Sequence, residues 1–203
     1  MTKKIIKNNF LPSTDKKILN DNFTDIYTNK VDYSGTGNNS VWDDLRFPVT
    51  STRLGALNKP DFDYTDNGLL FPQNDATEII YIVAQLPHSY KLGTNIVPHL
   101  HYIQTGADLP TFKLKYRWYE LGETIPVFTT IISTTNTFSY TSGTINNKLL
   151  FPPIVGSGIT TISSILDIQI YREDNLVAGD ILVKEFDIHY LSDTLGSYSN
   201  TTK

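Results

Sequence analysis

The sequence predicts an all-β protein, a jelly-roll-like β-sandwich carrying an extended N-terminal arm. Three observations carry that expectation. Short apolar or alternating runs recur from Asp44 onward, separated by turn-forming clusters. After residue 40 no apolar periodicity of the length a crossover helix needs is visible, which excludes a parallel α/β fold. Residues 1–40 are polar, rich in Asn and Lys and weakly patterned. The chain therefore divides into an arm or anchor over 1–40 and a β-sandwich domain over 41–203.

In the arm, Ser13, Thr14 and Asp15 ahead of KKILNDNFTDIY predict one short capped helix. Residues 34–40, SGTGNNS, read as a connector by composition. Scattered apolar residues such as Ile5, Phe10 and Ile18 fit a segment that gains order against a partner. The stretch 41–52, VWDDLRFPVTST, is the hinge between arm and domain, with Trp42, Asp43, Asp44 and Arg46 as its interaction residues. Expected strands then cover 45–49, 69–71, 77–86, 97–104, 111–120, 126–133, 160–171 and 180–191. In the clearest, Phe112, Leu114, Tyr116 and Trp118 share one face while Lys113, Lys115 and Arg117 share the other. Leu182, Phe186, Ile188 and Tyr190 likewise alternate with Val183, Glu185, Asp187 and His189. Residues 78–86, EIIYIVAQL, are apolar on both faces and predict a central strand covered on each side. Turn chemistry at 66–68, 90–93, 105–108, 121–123 and 175–179 bounds these strands.

Composition narrows the function. A length of 203 residues supports one ordinary domain with a substantial core. The net charge of −4 argues against a nucleic-acid partner. Residues 1–30 hold six Lys against three Asp, a net +3, so residues 31–203 carry −7. A basic arm on an acidic body fits an arm that lies on another surface. The absence of Cys removes disulfides and thiol chemistry. The basic start is followed by no apolar segment of a signal peptide, and no run reaches membrane-spanning length, so no membrane partner is expected.

Few residues offer chemistry. In Gly93–His101 the two histidines His99 and His101 stand at i and i+2, so both imidazoles leave one strand face and can reach one ion. The G-x5-H-x-H spacing resembles the first metal motif of cupins. Cupins add a carboxylate shortly after the second His, where this chain has Gln104; the first acid is Asp108. The alternative is a polar pair on an edge or subunit-facing strand. Adjacent Asp43 and Asp44 point to opposite faces of an extended chain, which disfavours a shared substrate and favours a partner such as Arg46. Asp61, Asp63 and Asp66 have the oxygen-rich look of a Ca2+ loop without its distal Glu, and read better as a turn. No phosphate-binding, dinucleotide or nucleophile-elbow motif occurs. The expectation is a non-enzymatic protein with no catalytic residue, no cofactor and no assigned metal ligand.

Four ordered motifs carry a resemblance. They are Trp42–Arg46 (W-D-D-L-R), Gln85–Lys91 (Q-L-P-H-x-Y-K), His99–His101 (H-x-H), and a C-terminal Asp187–Tyr190 (D-x-H-Y) with Asp193–Ser197 (D-T-L-G-S). In this order they resemble a family of tailed-bacteriophage virion structural proteins, met in crAss-like and related gut or environmental phages. The match covers about residues 41–197 and leaves the arm unmatched. The resemblance implies a head, collar or tail appendage or decoration protein, found in the virion after assembly in the host cytoplasm. It further implies a symmetric homo-oligomer, by fold analogy a homotrimer, docked to other virion proteins through residues 1–40. His99, His101 and His189 would then meet near a symmetry axis. Two alternatives stay open: a module of the same particle that binds a host receptor or surface glycan, and a cupin-like metal-binding protein using His99 and His101.

Overall fold

The structure, a computed structural model, describes residues 40–73, 75–104, 106, 109–134, 145–173, 179–197 and 199. Of the arm expected over 1–40, all but Ser40 lies outside the described residues, as do its expected capped helix and Asp108. Among those described, eleven strands and no α-helix are found. The strands are β1 (Val41–Pro48), β2 (Arg53–Leu54), β3 (Asp61–Asp63), β4 (Gly68–Phe71), β5 (Ile79–Gln85), β6 (Val97–Gln104), β7 (Phe112–Tyr119), β8 (Thr129–Ile132), β9 (Ile145–Leu150), β10 (Ile165–Arg172) and β11 (Ile181–Ser192). A 3-10 turn, Val49–Ser51, follows β1.

They form two antiparallel sheets, β3-β4-β11-β6-β9 with β1 also on β11, and β2-β5-β10-β7-β8. The eight strands from β4 onward explain this order as one long ribbon rolled up. Its ladder pairs are β4 with β11, β5 with β10, β6 with β9 and β7 with β8. Rolling the ribbon then joins β11 to β6 and β10 to β7. This is the jelly roll, with its strands divided between two facing sheets.

Alternation puts the core between the sheets. Phe71, Ile80, Leu100, Phe112, Leu114, Leu166, Ile170, Phe186 and Ile188 are all fully buried. Burying each such side chain favours folding by about 1.5–3 kcal/mol, before chain entropy is set against it. β5 departs from expectation. Ile80, Ile82 and Ala84 are buried, yet Val83 is 68% exposed and Tyr81 37%. It lies between β2 and β10 in a sheet packed on one face, so its outer apolar residues face solvent. The basic stripe of β7 behaves as the alternation requires. Lys113 pairs with Glu173, Arg117 Nε donates to Asp167 at 2.7 Å, and Lys115 sits 5.3 Å from the centre of the Tyr171 ring.

Candidate functional site

The outward face of the first sheet gathers every histidine singled out above. β6 presents His99 and His101, one pleat apart, on the face away from the core. β11 runs antiparallel beside it, and its register contains an irregularity between Val183 and Glu185. Before that point Leu182 faces Ile103 and Val183 faces Tyr102; after it Glu185 faces His101 and Asp187 faces His99. Without the extra residue Phe186 would oppose His99, and an apolar ring would sit where the carboxylate now lies. The bulge therefore breaks the simple alternation expected for β11, so that Val183 rather than Leu182 joins Phe186, Ile188 and Tyr190 in the core, and it aims Asp187 at the histidines.

His99 Nε2, His101 Nε2 and Asp187 Oδ2 form a nearly equilateral triangle. The two nitrogens are 3.1 Å apart, His101 lies 3.1 Å from the carboxylate oxygen and His99 lies 3.3 Å from it. His99 and Asp187 are almost wholly buried, while the His101 side chain is 36% exposed and opens the group to solvent. The carboxylate that the sequence lacks after the second histidine thus comes from another strand. The reading that no carboxylate completes the pair is corrected by this strand pairing.

β1 closes the site from the other side of β11. Tyr190 donates its hydroxyl to Asp43 at 2.7 Å, His189 Nε2 lies 2.9 Å from Asp44, and Arg46 forks onto Glu185 at 2.7 and 2.9 Å. The expected Asp–Arg46 pairing is therefore replaced by three links from β1 to β11. Asp43 and Asp44 do diverge, as an extended chain demands. The Tyr190 hydroxyl and the Asp44 amide hold the Asp43 carboxyl below the usual carboxylate range. Burial, reinforced by His99, holds the His189 imidazole below the ordinary histidine value. The His189 ring packs against His99 with centroids 4.3 Å apart and the planes tilted by 55°. All three histidines meet within one chain, so no symmetry axis is needed to assemble them. Trp42 is 60% exposed. A recess of about 420 Å3, lined by Asp44, Arg46, His101, Lys184, Glu185 and Asp187, leads to the triangle.

The remaining motif segments form a second seam. Lys91 N donates to the Leu191 carbonyl at 2.7 Å, Asp193 N to the Ser89 carbonyl at 3.2 Å, and His88 Nδ1 lies 2.7 Å from the Ser197 hydroxyl. The Asp-rich segment near β3 is a turn: Asp63 accepts the amides of Thr65 and Asp66 at 2.7 and 3.0 Å.

No protein-family model and no curated protein matches this chain. Two of the solved structures similar to it are the following. One is the CBM22-1–GH10 modules of endo-1,4-β-D-xylanase 10B from Clostridium thermocellum complexed with xylohexaose, with 14% identity over 78% of this chain and 27% of that one, at a TM-score of 0.35. The other is dimeric latent PorU from Porphyromonas gingivalis, with 10% identity over 79% of this chain and 14% of that one, at a TM-score of 0.36. This chain spans less than a third of the length of either.

Proposed function

We propose that this protein is a non-enzymatic building block of a tailed-phage particle, a symmetric homo-oligomer whose β-domain self-associates and whose residues 1–40 dock it to other virion proteins. One observation carries the reading: the motifs behind the family resemblance are spent on two internal seams. W-D-D-L-R, H-x-H and D-x-H-Y meet across β1, β6 and β11, through Tyr190–Asp43, His189–Asp44 and His101–Asp187. Q-L-P-H-x-Y-K and D-T-L-G-S meet through Ser89–Asp193 and His88–Ser197. Residues that hold a framework together are what a shell component must keep. The cations of β7, which a glycan-binding face could use, are already engaged by Glu173, Asp167 and Tyr171.

The test is mass spectrometry of purified particles, alongside incorporation of a chain lacking residues 1–40. The full chain is expected in the particles and the shortened one in the unassembled fraction. Absence of the full chain from particles sinks the particle assignment. Normal incorporation of the shortened chain sinks the anchor.

A further inference from the structure

We propose that His99, His101 and Asp187 bind one divalent transition-metal ion of the zinc class, clipping β6 to β11 and leaving an outward coordination position open to water. The argument begins with protons. A side-chain imidazole nitrogen carries either a proton or an in-plane lone pair, never both. Three mutual contacts of 3.1, 3.1 and 3.3 Å, if protons alone joined them, would need one Nε2 to donate twice and the other both to donate and to accept. With both nitrogens protonated toward Asp187, two N–H groups face each other. With one bare, either the nitrogen pair or a nitrogen–carboxylate contact lacks a hydrogen. No protonation state joins all three edges by linear hydrogen bonds. A single cation at the centre engages all three lone pairs at once.

The distances fit such an ion. Four-coordinate zinc, with nitrogen and oxygen ligands at about 2.0–2.2 Å, sets its ligand atoms roughly 3.3–3.5 Å apart, and six-coordinate geometry at the same bond length roughly 2.8–3.1 Å. The observed edges span these two cases. Two imidazoles and one carboxylate form a borderline donor set, suited to zinc and its divalent neighbours rather than to Ca2+ or Mg2+. Burial strengthens the case, because the side chains of His99 and Asp187 are only 2% and 5% exposed, and an uncompensated carboxylate there is costly. Asp187 Oδ1 and His99 Nδ1 are buried with no hydrogen-bond partner among the described residues. The Nδ1 atom is unpartnered in either tautomer and so does not discriminate. With Oδ1 bare, the short contacts of Asp187 with the two imidazoles all fall on Oδ2. The recess beside His101 supplies the open coordination side, while His189, held by Asp44, packs on the His99 ring and fixes its orientation.

The experiment titrates metal-free full-length protein with zinc chloride in a calorimeter and measures retained zinc by elemental analysis. His101→Gln, at a side chain 36% exposed, and the isosteric Asp187→Asn are run beside it, with circular dichroism reporting folding. His88→Ala, at the other seam, is the control. One zinc per chain is expected for the parent and for His88→Ala, with affinity falling on the order of 100-fold or more in the two ligand variants. Cobalt in place of zinc should give visible absorption bands in the parent that both ligand variants lose. No retained zinc in the parent overturns the proposal. So does one-to-one binding of undiminished affinity in both folded ligand variants.

Discussion

At the scale of single residues, the seam from β1 to β11 makes stability respond to acid. The Asp43 carboxyl titrates below its unfolded value because Tyr190 and the Asp44 amide donate to its ionised form. A carboxyl with a depressed folded pKa contributes stability that is complete above the unfolded value, near 3.9, and is lost as pH falls through the folded value. Asp43→Asn is therefore expected to be less stable than the parent at neutral pH, with the gap closing as pH drops below about 4. Urea unfolding at several pH values checks this, and a gap that widens toward acid would contradict the sign. The same scale shows what sequence could and could not reveal of the site. His99 and His101 are legible because a pleat of period two puts i and i+2 on one face. Asp187 is not legible beside them: its placement depends on which strand pairs with β6 and on one bulge residue near Lys184, neither of which leaves a local signal. Arg46 shows the same limit, since nearby carboxylates were its visible partners and Glu185 its actual one.

At the scale of elements, alternation and turn chemistry located the long strands. β6 covers the expected residues 97–104, and β7 lies inside the expected 111–120. Three strands went unread. β2 and β3 are only two and three residues long, too short to show a period. β9, INNKLL, has two Asn of low strand propensity at its second and third positions, and its pairing with β6 rather than any intrinsic preference makes it a strand. β5 misled in the other direction, since apolar residues on both faces do not require two covered faces. Connections between elements carry their own constraints. Gly156 follows the short bridge of Ile96 to Ile154, and a Cβ placed there would lie 1.9 Å from the Thr94 carbonyl oxygen and 2.6 Å from the Tyr90 hydroxyl. Tyr90 OH already donates to that carbonyl, so neither group can withdraw without breaking a bond. Gly156→Ala is expected to destabilise the fold by about 1–3 kcal/mol or more, through overpacking against backbone. Chemical denaturation reads this directly, and an unchanged midpoint would show that the loop moves freely.

At the scale of the whole molecule, the jelly roll separates two tasks that the proposed role requires. Among the described residues the buried core runs from Val49 to Tyr190, with Leu45 and Phe47 packed against it. The proposed role assigns folding to this domain and attachment to the arm, where the net +3 of residues 1–30 suits an acidic partner. Self-association should follow the folded part, because closed symmetric oligomers are built from rigid, self-complementary surfaces. Large apolar side chains at Leu57, Leu121, Val127 and Val155 are more than 60% exposed on the domain and supply surface that contact between copies would cover. Sedimentation equilibrium separates the cases. If the β-domain carries association, the full chain should sediment near three times its 22.9 kDa, and the chain lacking residues 1–40 near three times its own smaller mass. A full-length trimer whose shortened form is monomeric would move the association to the arm. Monomers in both cases would remove the symmetric oligomer, and with it the reason to expect these exposed side chains to be covered.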